Sequence, residues 1–273
     1  MESTNKPLRV AIAGLGAIGK SLATRLTDGV VPGVVLTAVS AKNQDKAKEF
    51  VSKLAYPVKV LSISELEPEA DVVVECAPAE LLSDIIAPFL SAKKKAIVLS
   101  VGAILFKPEL IELAKTTGGT IMVPTGALIG LDAMVAAAEG EIFSVKMVTN
   151  KPPLGLKGAP HLIEKNISVD GLTEPLKVFS GNAREAAKGF PANLNVVVAL
   201  ALAGVGPEKT HLEIWADPTV VRNTHTITVE SDSAKFSMKM ENIPSENPKT
   251  GRIVAQSVVA MLRKMLATFQ VGT

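Results

Sequence analysis

Residues Leu8–Lys20 read LRVAIAGLGAIGK, and this stretch decides the fold of the N-terminal half. A short apolar run, typical of a buried strand, leads into three glycines, and a helical pattern over 17–26 follows them. The glycines, Gly14, Gly16 and Gly19, have the spacing GxGxxG. A glycine-rich turn between a strand and a helix is typical of a dinucleotide site.

Each glycine of this turn has a physical task in such a site. Gly14 permits the tight turn out of the strand, Gly16 lets the backbone approach a pyrophosphate, and Gly19 lets the helix pack on the sheet. The helix N-terminus adds free N–H groups and a positive dipole. We therefore predict dinucleotide contacts at Gly14, Gly16, Ala17, Ile18 and Gly19. A purely structural turn is the alternative.

The pattern of strand and helix continues to about residue 125. The strands are continuous apolar runs, which indicates a parallel sheet covered by helices on both faces. The fold class predicted is α/β, with a doubly wound sheet. The predicted strands are 10–13, 34–40, 58–61, 71–76, 96–101 and 120–123, and the predicted helices are 17–26, 45–54, 79–92 and 108–115.

The pattern changes after residue 125 to longer strands that alternate polar and apolar residues. Such strands predict a mostly antiparallel sheet with one covered face, hence an α+β domain. We predict a dinucleotide-binding domain over 1–127 and a substrate-binding and dimerisation domain over 128–249, with the helix in 250–273 packing back on the first. The later predicted strands are 141–150, 175–180, 211–216, 224–231 and 235–241.

Composition excludes several classes of protein. The formal net charge is +2, which is no electrostatic footprint for nucleic acid. One cysteine, Cys76, allows no intrachain disulfide and fits a reducing compartment. The most apolar late stretch, 196–205, is too short to span a bilayer, and the polar N-terminus lacks the apolar region of a signal peptide. We expect a cytoplasmic protein with no metal, membrane or nucleic-acid partner.

The end of the second predicted strand indicates which dinucleotide binds. NAD sites usually place a carboxylate there, on the ribose 2′-hydroxyl. Here the residues are Ser40-Ala41-Lys42-Asn43, without an acid. A hydroxyl, an ammonium and an amide suit a 2′-phosphate, so NADP is favoured and Ser40, Lys42 and Asn43 are predicted contacts. NAD binding beside a solvated Lys42 remains open.

Small residues follow the predicted strands 71–76, 96–101 and 120–123. Ligands of open α/β sheets bind outside the carboxyl ends of the strands, and small loop residues leave room there for a nicotinamide and its ribose. Cys76 is better explained as a small buried residue than as a nucleophile, because no neighbouring base is evident. The predicted contacts are Cys76, Ala77, Pro78, Ser100 and Gly102.

Histidine is scarce, so each of the three can be weighed. His161 is predicted in a polar loop and His211 at a strand start, both with surface or structural roles. His225 opens an alternating strand and is the best general acid–base candidate, because imidazole accepts and donates protons near neutral pH.

Two asparagines stand at the start of a predicted apolar helix. Asn193 and Asn195 are there either caps of the helix or ligands of a carboxamide or carboxylate.

The chain resembles the L-aspartate dehydrogenase family over essentially its whole length. The most specific segments are GNAREAAKGFPANLNV at 181–196, NTH at 223–225 and NPKTG at 247–251. The resemblance implies a Rossmann domain followed by an α+β domain, a homodimer, and NAD(P)-dependent deamination of L-aspartate. That reaction passes through iminosuccinate, a precursor for NAD biosynthesis, to oxaloacetate and ammonia. By motif, the catalytic histidine is His225, and cofactor contacts are Ala127 and Asn195. The carboxylates of the implied substrate need cationic or N–H partners, and we expect these at Lys151, Asn193 and Thr224.

Two alternatives stay open at this point. One is a dehydrogenase or reductase of another small dicarboxylic amino or imino acid. The other is a non-catalytic protein that senses NADP, since one fold supports many functions.

Overall fold

The computed structural model describes residues 6–190, 194–243 and 251–272, which fall into two compact units. The first unit contains the chain up to Gly126 together with Val254–Gln270, and the second contains Ala127–Ile253 and the last residues. No helix in the described ranges is long and apolar enough to cross a membrane.

The first unit is built on a six-stranded sheet whose strand pairs are all parallel. Its order is β3-β2-β1-β4-β5-β6, the doubly wound order, so the predicted fold class is confirmed. Its elements are β1 Leu8–Ala13, α1 Ala17–Thr27, β2 Val34–Ser40, α2 Gln44–Val51, β3 Lys59–Val60, β4 Val72–Glu75, α3 Leu82–Ser91, β5 Lys95–Val98, α4 Val101–Ile104, α5 Pro108–Thr117 and β6 Thr120–Met122.

The first sheet is buried on both faces because successive side chains of each strand point to opposite sides. On β1, Val10 and Ile12 belong to one apolar cluster, and Ala11 and Ala13 belong to the other. The C-terminal helix α10, Ile253–Leu266, contributes four buried side chains to the first cluster. All four β1 side chains are fully buried, which explains the continuous apolar run in the sequence.

The second unit holds a five-stranded sheet in the order β11-β10-β7-β9-β8. Only β7 and β9 are parallel, so the predicted mostly antiparallel sheet is confirmed. Its elements are α6 Leu131–Ala137, β7 Ile142–Lys151, α7 Pro160–Glu164, β8 Leu176–Asn182, α8 Ala183–Gly189, α9 Asn195–Ala203, β9 Thr210–Ala216, β10 Thr224–Ser231 and β11 Lys235–Glu241.

One face of the second sheet is apolar at its centre and polar at one end of β7. Met147 of β7 pairs with Leu212 of β9 and Ile227 of β10, and all three are buried. Two residues further along the same face of β7 lie Thr149 and then Lys151, also buried. The covered face of this sheet therefore ends in polar groups.

Two local predictions were wrong. The strand predicted over 96–101 ends at Val98, because the N–H groups of Leu99 and Ser100 turn to a buried carboxylate and α4 begins at Val101. His161, predicted in a polar loop, lies in helix α7, and the centroid of its ring is 5.3 Å from the centroid of the Phe179 ring.

Candidate active site

The glycine turn fits a bound dinucleotide. A Cβ on Gly14 would lie 2.5 Å from the Cys76 carbonyl oxygen, and one on Gly19 would lie 1.9 Å from the Gly14 carbonyl oxygen. A Cβ on Gly16 would meet nothing within 4 Å. Gly14 and Gly19 are thus required by the fold itself, whereas the space beside Gly16 is open for a ligand to approach the backbone.

A cleft of about 1670 Å³ opens at the carboxyl ends of the first sheet's strands. Three lysines line it, Lys20, Lys42 and Lys46, which makes its wall attractive to phosphate groups. Of the predicted cofactor contacts, those that line it are Gly14, Gly16, Ser40, Lys42, Asn43, Cys76, Ala77 and Pro78.

The end of β2 has the chemistry of a 2′-phosphate site. Asn43 caps α2, and its side chain accepts a hydrogen bond from the Lys46 N–H at 2.9 Å. The acidic residues among the described cleft-lining residues are Glu80 and Asp84, which follow β4, so none follows β2. Lys42 and Lys46, with no cleft-lining acid after β2, favour a phosphorylated ribose at this point.

The end of β4 carries a fully buried carboxylate, Glu75. One of its oxygens accepts the Ala77 N–H at 3.1 Å and the Ser100 hydroxyl at 2.9 Å. The other accepts the N–H groups of Leu99 at 3.1 Å and Ser100 at 2.8 Å. Burial raises the pKa of Glu75, while these donors act in the opposite direction. Glu75 therefore ties the loop after β5 to the loop after β4.

Several predicted contacts lie away from the cleft wall. The predicted residues that do not line it are Ala17, Ile18, Gly19, Ser100 and Gly102. Of these, Ser100 donates hydrogen bonds to Glu75 from both its hydroxyl and its N–H.

Cys76 does line the cleft. Burial, together with the charge of Glu75, raises the pKa of its thiol well above the usual value, so the thiol stays protonated and is a poor nucleophile.

In the second unit, His225 lies opposite Thr149 on the covered face of the sheet. The two residues are directly paired between β10 and β7, and the Thr149 Oγ1 lies 3.0 Å from the His225 Nδ1. His225 is 3% exposed and Thr149 is 2% exposed. The hydrogen bond at Nδ1 leaves Nε2 as the ring nitrogen available to another group.

Lys151 lies on the same face as this pair and is also buried. Burial lowers the pKa of Lys151 to about 8. Burial and the charge of Lys151 lower the pKa of His225 to about 3, so the imidazole is neutral at physiological pH. A bound anion would raise both pKa values, because it would favour the charged forms. The cluster of His225, Thr149 and Lys151 is therefore suited to an anionic ligand that exchanges protons.

The other predicted residues of this unit are dispersed. Thr224 pairs with Asn150, on the sheet face opposite His225, because adjacent strand residues alternate. Asn195 is exposed at the start of α9. The Ala127 carbonyl accepts a hydrogen bond from the Asn242 side chain at 3.0 Å. Asn193 lies outside the described residues.

Within the described residues, no group of three or more histidine, cysteine, aspartate or glutamate side chains is placed to hold a metal ion.

Comparison with known proteins identifies the family. Residues 132–265 match the model for the aspartate dehydrogenase C-terminal domain, and residues 14–124 match the NAD-binding domain of homoserine dehydrogenase. L-aspartate dehydrogenase 3 of Bordetella bronchiseptica is 61% identical over 99% of this chain and 100% of its own length. The chain belongs to the L-aspartate dehydrogenase family.

Two further similar proteins agree with this assignment. The L-aspartate dehydrogenase of Bradyrhizobium diazoefficiens is 57% identical, over all of this chain and 96% of its own length. The crystal structure of aspartate dehydrogenase from Thermotoga maritima superposes with a TM-score of 0.75 at 25% identity, over 97% of this chain and 99% of that one. The resemblance predicted from the motifs is confirmed, and the two alternative functions are not favoured.

Sequence reasoning missed three features of this dehydrogenase. The hydrogen bonds of Glu75 were not predicted. An acid directly after three valines in a buried strand does indicate a carboxylate with hydrogen-bond partners. Thr149 could be found only from the register of β7 and β10. Lys20 and Lys46 line the cleft from helices α1 and α2, and no sequence motif links either lysine to the glycine turn.

Proposed function

We propose that the protein is an NAD(P)-dependent L-aspartate dehydrogenase. It would catalyse the reversible oxidation of L-aspartate through iminosuccinate, with water yielding oxaloacetate and ammonia. The observation that carries this proposal is the 61% identity, from end to end, to a relative named L-aspartate dehydrogenase 3. A bound NADP or NAD supplies the hydride acceptor for this chemistry.

The buried cluster of the second unit supports a role in handling the substrate. Lys151, with a pKa of about 8, is mostly charged at neutral pH and would attract a substrate carboxylate. His225 would exchange protons or hydrogen bonds with the amino group or the attacking water through Nε2. Both groups are desolvated, which strengthens their interaction with a charged substrate. Asn193 and Thr224 stay predicted substrate contacts.

The cleft of the first unit supports a preference for NADP. Gly14, Gly16 and Gly19 form a turn open to a pyrophosphate, while Lys42 and Asn43 follow β2 in place of an acid. The remaining predicted contacts, Ala127 and Asn195, rest on the family's motifs. We propose binding of both dinucleotides, with NADP the tighter.

The proposed organisation assigns the cofactor to residues 1–127 and the substrate to residues 128–249. We further propose that the enzyme is a cytoplasmic homodimer assembled through the second domain. The family resemblance supports the dimer, and the single cysteine supports a reducing compartment. Light scattering coupled to size-exclusion chromatography measures the mass, which should be twice the 28.6 kDa of one chain.

A spectrophotometric assay at 340 nm tests the activity. L-aspartate should support reduction of NADP and NAD, whereas L-glutamate and L-homoserine should support neither. Oxaloacetate with ammonia should oxidise NADPH. Oxidation of L-homoserine or L-glutamate in preference to L-aspartate would contradict the proposed substrate, and dinucleotide binding without any turnover would contradict an enzymatic role.

A further inference from the structure

The Thr149 side chain has a single hydrogen-bond partner within the described part of the chain, the His225 ring. The two side chains face each other across β7 and β10, and the distance from Oγ1 to Nδ1 is 3.0 Å. Both are more than nine-tenths buried, so neither is freely solvated. The contact therefore determines where the protons of both groups lie.

A hydroxyl has one proton to donate, whereas neutral imidazole has one donor nitrogen and one acceptor nitrogen. A buried hydroxyl proton left without an acceptor costs about 1–3 kcal/mol. The Thr149 proton avoids that cost only by pointing at Nδ1, which must then be unprotonated. With the ring proton on Nδ1, both the Thr149 proton and the Nε2 lone pair would lack a partner among the described residues, whereas with the proton on Nε2 only that N–H does. The single proton of the neutral ring consequently lies on Nε2.

We propose that Thr149 is a positioning residue that holds resting His225 in the tautomer with its proton on Nε2. The inference rests on the proposed role of His225. The resting ring then offers the substrate an N–H donor, suited to polarising an imine through a hydrogen bond to its nitrogen. To present Nε2 as a base, the ring must first exchange its proton with water, losing it from Nε2 and gaining one at Nδ1; the Thr149 hydroxyl then turns and accepts a hydrogen bond from Nδ1. The hydroxyl thus remains bonded to the ring in either state.

The remaining contacts of the strand ends fit this assignment. Ile227 and Met240 adjoin His225 along the sheet and offer it no strong acceptor. Lys151 carries the nearby charge, which disfavours a protonated ring. A neutral imidazole acting as a hydrogen-bond donor is consistent with both neighbours.

Nitrogen NMR of protein labelled with ¹⁵N-histidine tests the tautomer directly. The chain has three histidines, and the His225 signals are assigned as those lost in His225→Gln. At neutral pH the wild type should show an unprotonated Nδ1 and a protonated Nε2 for this ring. A protonated Nδ1 would overturn the proposal.

Kinetics of matched variants test the consequence. Thr149→Val removes the hydroxyl at nearly constant volume and should lower kcat for L-aspartate by about 10- to 100-fold, the loss seen when partners that orient metal-bound histidines are removed. The KM for L-aspartate and the Kd for NADPH should change less than about threefold, because Thr149 contacts neither in this account. Thr149→Ser should keep kcat within about threefold of the wild type.

Thr226→Val is the control, since it removes a hydroxyl from the opposite face of β10. Equal kcat values for Thr149→Val and Thr226→Val would overturn the proposal. If Thr149→Val does not fold, the serine variant and the wild-type spectrum still decide the question. A wild type with the Nε2 tautomer but no oxidation of L-aspartate would uphold the tautomer and overturn the proposed function.

Discussion

Glu75→Gln perturbs the carboxylate that joins the ends of β4 and β5. The native side chain accepts four hydrogen bonds, two on each oxygen. Glutamine keeps the shape but turns one oxygen into a donor. Its carbonyl can retain the N–H groups of Leu99 and Ser100, and the Ser100 hydroxyl can turn to accept from the new amide. The Ala77 N–H is then left facing another donor.

The magnitude follows from that single orphaned group. A buried N–H without an acceptor costs about 1–3 kcal/mol. For a chain of this size, each kcal/mol lowers Tm by about 2–4 °C, so Glu75→Gln should melt about 2–12 °C lower. Because Ala77 also lines the cleft, the Kd for NADPH should rise about 3- to 30-fold, which corresponds to a loss in binding of about two-thirds of that energy.

Differential scanning fluorimetry and NADPH fluorescence titration measure the two effects. Glu80→Gln is the matched control, because Glu80 is an exposed acid on the same cleft wall with no hydrogen bond in the described structure. A Glu75→Gln protein with the Tm and NADPH affinity of Glu80→Gln would refute the proposed tie between the two loops.

Two other predictions concern cationic groups. Lys42→Ala should weaken NADP binding about 10-fold at low salt and leave NAD binding unchanged; the effect should be smaller at high salt, because the side chain is exposed. Isothermal titration calorimetry measures both affinities, with Lys48→Ala as the control, and equal losses for both dinucleotides would refute a 2′-phosphate contact. Lys151 loses its charge as pH rises through about 8, so the KM for L-aspartate should increase above that pH in the wild type. Lys151→Met should have a high KM with no such pH dependence, and an unchanged pH profile in this variant would contradict the assignment.

The first sheet was predictable because its signals are local. Continuous apolar runs indicate strands that are buried on both faces of the sheet. The three glycines indicate a tight turn, and a Cβ at Gly14 or Gly19 would obstruct that turn. Alternation likewise predicted β10 and β11 with the observed bounds. These patterns depend on residues close together in the chain.

The polar interactions were less predictable because they join distant residues. Glu75 meets Ser100 across 25 positions, and Thr149 meets His225 across 76. Nothing local to either partner specifies such a pair, since it depends on strand order and register. For the same reason the strand predicted over 96–101 was too long: the N–H groups of Leu99 and Ser100 bind the distant Glu75 and not a neighbouring strand.

The turnover of L-aspartate by His225→Ala, followed as NADPH formation at 340 nm, tests whether His225 is the catalytic histidine. Turnover should fall by about 10²- to 10⁴-fold, while NADPH binding stays within about threefold of the wild type. His211→Ala, which alters an exposed histidine on β9, should retain full activity. Near-normal turnover in a folded His225→Ala enzyme would contradict the account.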